Sequence, residues 1–99
     1  MTANRRTDNR VSVNLSARWD GLSGQHDARI EDIGLGGCFV NAVTRVEIGE
    51  VVPLEIRLPS GEWLQIRGEV ISYQEAVGFG LRFPFLTDDE EAALRELIA

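Results

Sequence analysis

Glu31-Asp32-Ile33-Gly34-Leu35-Gly36-Gly37 is the stretch from which the rest of the chain is best understood. Three glycines fall within four residues, directly after the alternating run Ala28-Arg29-Ile30. Glycine tolerates φ > 0 without steric cost and lets a ligand approach the backbone closely. The Asp at the front can accept N–H bonds from its own turn or from a bound base. On residue types alone the segment reads either as a tight turn between two strands or as a loop that receives a ligand. The start of the chain bears on that choice, because Arg5-Arg6-Thr7-Asp8-Asn9-Arg10 is rich in a residue whose planar fork grips phosphate and stacks on flat rings.

Outward from the glycines, the pattern is that of short strands. Residues 1–10 carry no apolar periodicity and read as a flexible arginine-rich arm. Val11, Val13, Leu15, Ala17 and Trp19 then alternate with polar residues, which predicts a half-buried strand. Turn residues Asp20-Gly21 and Ser23-Gly24 lead to a second strand over residues 25–32, with Ala28 and Ile30 inward. Gly37 to Asn41 forms a short third strand, and Val46 to Glu50 a loop closing on Gly49. Val52, Leu54, Ile56 and Leu58 mark a fourth strand, with Pro53 implying an edge or bulge. Pro59-Ser60-Gly61 is a hairpin turn. Leu64, Ile66, Gly68 and Val70 line one face of a fifth strand, where Gly68 would permit a sharp bend. Val77, Phe79, Leu81 and Phe83 give a sixth strand. The period then changes. Thr87-Asp88-Asp89-Glu90 fits a capping box, and Ala93, Leu94, Leu97 and Ile98 form a helical stripe. Six antiparallel strands with tight turns and one terminal helix predict an all-β barrel or sandwich, and closure into a barrel removes edge strands.

Composition excludes several classes. A chain of 99 residues argues for one domain. No apolar run approaches the ~20 residues needed to span a bilayer, and the polar N-terminus lacks the apolar core of a secretory signal, so a cytoplasmic protein without membrane insertion is expected. A net charge of −6 disfavours a nucleic acid polymer as partner. Ten arginines and no lysine are present, and three of the arginines lie within residues 5–10. Cys38, the single cysteine, excludes an internal disulfide and reads as a small buried hydrophobe. His26 is the single histidine, so no nucleophile–His pair and no metal-ligand spacing is expected. The protein reads as a non-enzyme without metal or cofactor. Trp19 reads as core by its parity, and Trp63 as a structural residue beside a turn.

Taken together, the arm and the glycine segment resemble the PilZ domain, a bacterial receptor family for the second messenger cyclic di-GMP. That family pairs an N-terminal R-x-x-x-R with a downstream [D/N]-x-S-x-x-G. Arg6 and Arg10 match the first motif; Asp32 and Gly37 match the second, with Gly34 where the family has Ser. The resemblance extends through the Gly68-Glu69-Val70-Ile71-Ser72-Tyr73 and Gly78-Phe79-Gly80-Leu81-Arg82-Phe83 strands to the terminal helix. It implies a six-stranded antiparallel β-barrel of the split-barrel type over residues 11–99, closed by one C-terminal α-helix. It also implies that cyclic di-GMP is the ligand, held by Arg5, Arg6 and Arg10 of the arm, by Asp32, and by the glycine turn at Gly34, Gly36 and Gly37. Tyr73 occupies the place of a family Trp that stacks on a base; filling the barrel wall is the alternative. The arm is either a ligand-binding segment or a solvated basic tail. The function implied is a receptor that changes shape on binding and signals to an unidentified downstream protein. The alternative is an adaptor barrel that has lost nucleotide binding, which the replacement of Ser by Gly34 favours. Either one nucleotide or a stacked pair would fit these residues.

Overall fold

The computed structural model describes residues 10–99. The arm expected at the start therefore lies, except for Arg10, outside the described residues.

Six strands follow in order: β1 (Val11–Gly21), β2 (Gly24–Ile33), β3 (Gly37–Asn41), β4 (Val51–Arg57), β5 (Trp63–Gln74) and β6 (Gly78–Arg82). All neighbours are antiparallel, and they close into a barrel in the order β1-β2-β3-β6-β5-β4. The alternation in the sequence does this directly. On each strand residues of one parity point in, β2 switching parity at its irregularity between Ile30 and Asp32, and they form a core of Ala17, Trp19, Ile30, Ile33, Val40, Val52, Leu54, Ile56, Ile66, Val70, Phe79 and Leu81. Trp19 is the largest of these, its ring edge-on to Phe79 at 5.1 Å between centroids. Cys38 is fully buried among them.

The helix α1 (Asp88–Ile98) begins as its sequence predicts. The Thr87 hydroxyl accepts from the Glu90 N–H at 3.1 Å, and the Glu90 carboxylate accepts from the Thr87 N–H at 3.0 Å. Four acidic residues in the first turn face the positive end of the helix dipole. Leu94 is fully buried against the barrel, a burial worth about 1.5–3 kcal/mol, and Leu97 and Ile98 pack beside it.

Three sequence expectations need correction. Val77 does not face the core; it is 49% exposed, because it belongs to the turn before β6, donating to the Gln74 carbonyl at 3.0 Å and accepting from the Ala42 N–H at 3.2 Å. Leu58 lies just past β4, in the hairpin closed by its N–H on the Glu62 carbonyl at 2.8 Å. Gly68 is not the bend. A Cβ there would meet the Leu81 side chain at 2.9 Å, so its role is to leave room for Leu81. The irregularity of β5 falls instead between Val70 and Ser72. Pro53 fits the edge that its missing N–H implies: it sits one residue beyond the last pairing of β4 with β1 (Trp19 with Leu54), where that side of the strand has no partner. Trp63 is half-buried under two cations, the Arg18 guanidinium 3.8 Å and the Arg57 guanidinium 5.2 Å from its ring centroid.

Candidate functional site

The barrel's closure brings the two motifs together. Antiparallel pairing of Val11 with Ile33 and Ser12 with Asp32 sets the start of β1 beside the end of β2. Arg10 thus reaches Asp32 across 22 positions of sequence, its Nη1 donating to Oδ1 at 2.9 Å. Both side chains are about one third exposed (30% and 31%), so the pair contributes only about 0–1 kcal/mol to stability. Its value is positional: a guanidinium and a carboxylate stand side by side on the barrel surface.

Beneath them lies the glycine turn. The Gly34 N–H donates to the Gly37 carbonyl at 2.9 Å, and the Gly36 carbonyl accepts from the Phe83 N–H at 2.9 Å, which ties the turn to the end of β6. None of the three glycines has positive φ; the glycines that do are Gly24, Gly49, Gly61 and Gly78. Left-handed backbone is therefore not why glycine stands in this turn. Close approach explains Gly37: a Cβ there would lie 2.0 Å from the Leu81 carbonyl oxygen and 3.2 Å from Arg10 Nη2. The missing side chain leaves a bare patch of strand over which the Arg10 guanidinium lies. Cys38, next in the chain, points inward. Burial pushes its thiol up to about 12, with Asp32 adding to the rise and Arg10 opposing it. It is an inert part of the core and not a nucleophile.

Arg10, Asp32 and Gly37 thus form one cluster, with Gly34 and Gly36 in the turn that frames it. Arg5 and Arg6 lie outside the described residues. Tyr73 is not in the cluster. It pairs with Phe79, three residues along β6 from Arg82, about 10 Å at strand spacing. Its ring packs half-buried against the core, with the Arg45 guanidinium 5.8 Å away. The sequence reading missed Arg82, which is exposed at the end of β6 directly opposite Gly37. The signal was present: buried Leu81 and Phe83 on either side of it dictate that Arg82 points out.

A Ser–His contact does exist, contrary to expectation. Ser23 Oγ and His26 Nε2 are 2.8 Å apart across the turn from β1 to β2. Among the described residues no carboxylate hydrogen-bonds the His26 ring, and Ser23 is exposed at a hairpin tip, so the contact clasps the turn and lacks the orienting third group of a catalytic triad. Among the described residues no group of three His, Cys, Asp or Glu side chains could hold a metal ion, and no helix is long and apolar enough to cross a membrane. A cavity of about 380 Å³ lies elsewhere, where β1 and β4 part beyond Trp19 and Leu54 and α1 begins. The candidate site is an open face, suited to a flat ligand held by charge and backbone.

The PilZ domain model matches residues 4–99, nearly the whole chain. The chain belongs to the PilZ domain family. Solved structures agree on the fold. The Bacillus subtilis inhibitor of motility MotI/DgrA superposes with a TM-score of 0.79 at 18% identity, covering 97% of this chain and 50% of that one. Escherichia coli YcgR in complex with c-di-GMP gives 0.78 at 18% identity, covering 95% of this chain and 44% of that one. The PilZ domain of that protein with c-di-GMP gives 0.77 at 16% identity, covering 96% and 89%. The chain spans about half the length of the MotI/DgrA chain and 44% of the longer YcgR chain. Comparison with curated proteins finds no match. Within this PilZ domain, Arg10 is the second arginine of the first motif, and Asp32, Gly34 and Gly37 stand at the second motif's first, third and last positions.

Proposed function

We propose that this PilZ domain is a cyclic di-GMP receptor that passes the signal to a protein partner in the cytoplasm. One observation carries the reading: Arg10 and Asp32, separated in sequence, meet over the bare strand at Gly37. The ligand has two phosphates and two guanines. Arg10, with Arg5 and Arg6 from the arm, supplies guanidinium forks for phosphate oxygens or guanine O6 and N7. Asp32 accepts guanine N–H groups. Gly37 keeps the floor flat enough for the nucleotide to lie on the strand. Binding must share or break the Arg10–Asp32 pair, a small cost for a partly exposed pair. The arm, fixed to β1 at Arg10, then closes over the ligand and presents a new surface to the partner. The bound structures of the YcgR PilZ domain support the choice of ligand.

A second reading also has an observation behind it. Gly34 cannot supply the motif's hydroxyl, and its own N–H is already engaged by the Gly37 carbonyl. A barrel that has lost nucleotide binding and acts as an adaptor would look this way. Isothermal titration with cyclic di-GMP decides between them: saturable binding supports the receptor, and no heat at millimolar nucleotide leaves the adaptor.

A further inference from the structure

The geometry points to Arg82 as a further phosphate-binding residue of this face, held by Glu69 until the ligand takes it over. This inference rests on the reading of the face as a cyclic di-GMP site. Arg82 belongs to neither motif. Its position follows from register: it stands directly opposite Gly37, with their Cα atoms about 4.5–5.5 Å apart. Because position 37 has no side chain, Arg82 meets no side chain from its β3 partner. A Cβ at position 37 would run into the Leu81 carbonyl oxygen at 2.0 Å and stand 3.2 Å from Arg10 Nη2, so the Arg10 guanidinium lies close to the Leu81–Arg82 peptide. Two guanidinium groups therefore border one bare patch, Arg10 reaching it from the β1 side and Arg82 from β6.

Each cation already has an acceptor. Arg10 is bonded to Asp32, and Arg82 Nη2 to Glu69 Oε1 on the neighbouring strand, where Glu69 and Arg82 are cross-strand partners. The Arg82 side chain is 54% exposed and that of Glu69 33%, so water screens their attraction and the arginine can change partner cheaply. Asp32 has a use in the complex, as a guanine acceptor. Glu69 has none: a carboxylate near a phosphate repels it. Glu69 is thus an intramolecular anion standing where a phosphodiester would be better served. A phosphate over Gly37 would take the Arg82 fork bidentately and leave Glu69 to solvent.

The test is titration of the full chain with cyclic di-GMP, comparing the unaltered protein with Arg82→Ala and Glu69→Gln, each checked by thermal unfolding. Arg82→Ala should weaken binding by roughly tenfold or more, the loss expected for one charge-assisted contact. Glu69→Gln should bind roughly twofold to tenfold more tightly, because it frees the arginine and removes a repulsive charge. The opposite signs separate a ligand contact from a strut, since a merely structural ion pair would be harmed by either change. Affinity of Arg82→Ala within twofold of the unaltered protein overturns the inference, as does equal weakening by both variants. Failure of the unaltered protein to bind overturns the receptor reading and this inference with it, a result distinct from either of those.

Discussion

Gly37→Ala is the substitution whose effect follows most directly from the geometry. The added Cβ would sit 2.0 Å from the Leu81 carbonyl oxygen, where ordinary contact begins at 3.4 Å. The obstacle is backbone, so no rotamer change relieves it; β3 and β6 must move apart by about 1.4 Å, the difference between those distances. A shift of that size would carry the nearby Phe83 N–H to Gly36 carbonyl bond, now 2.9 Å, beyond hydrogen-bonding range. Overpacking costs about 1–3 kcal/mol, and a broken, poorly solvated backbone bond about 1–3 kcal/mol more. The variant should therefore lose about 2–6 kcal/mol, which for a domain of this size lowers Tm by at least about 8 °C. Circular dichroism melting of the full chain measures this. Gly49→Ala is the comparison: nothing lies within 4 Å of its Cβ, but φ is +93°, so only left-handed strain of about 1–2 kcal/mol applies. A Gly37→Ala protein melting within about 2 °C of the unaltered one, or a larger loss at Gly49, would refute the assignment of Gly37 to strand approach.

Other outcomes follow from the same geometry. Arg10→Ala should leave Tm within about 8 °C of the unaltered protein, because only a surface pair is lost, while cyclic di-GMP affinity falls roughly tenfold or more in titration; an unfolded variant would make Arg10 structural. Gly34→Ser restores the motif hydroxyl at a residue without positive φ, so titration should show binding roughly threefold to tenfold tighter; equal or weaker binding by a folded variant would move this turn off the ligand. Cys38 should resist a thiol reagent until the protein unfolds, since its thiol is buried. Its folded value is raised from 9.0 to about 12, so its contribution to stability is whole below pH 9.0 and declines as pH climbs towards 12, at up to about 1.4 kcal/mol per pH unit; urea titrations across that window should show the decline in the unaltered protein and less of it in Cys38→Ala.

Strand parity carried most of the fold. Val11 to Trp19 and Val52 to Ile56 alternate cleanly, and the structure buries the parities that alternation marks. Thr87 and Glu90 announced the helix because a capping box is a local interaction, complete within four residues. Parity failed where the ladder slips. Counting from Leu64, Ile66, Gly68 and Val70, Tyr73 should point outward. The register shift between Val70 and Ser72 inserts one residue, reverses the parity and turns Tyr73 towards Phe79 and the core. Val77 was misjudged for a related reason: alternation cannot say where a turn ends, and the turn holds its backbone until Gly78. The Arg10–Asp32 contact was legible only through the family pattern, since nothing local links residues 22 positions apart. Arg82 was legible as an outward residue but not as a neighbour of Gly37. That adjacency depends on β6 sitting beside β3, a non-consecutive pairing made by barrel closure.

The central claim is that the face at Arg10, Asp32 and Gly37 receives cyclic di-GMP, and a thermal shift of the full chain with that nucleotide tests it most directly. A ligand that binds only the folded state adds about 2.7 kcal/mol at 100 times its dissociation constant, and each kcal/mol raises the melting temperature of a domain this size by roughly 4–8 °C. The expected result is a dose-dependent rise of about 10 °C or more that is reduced at the same nucleotide concentration in Arg10→Ala. A melting temperature unmoved by millimolar cyclic di-GMP would contradict the account.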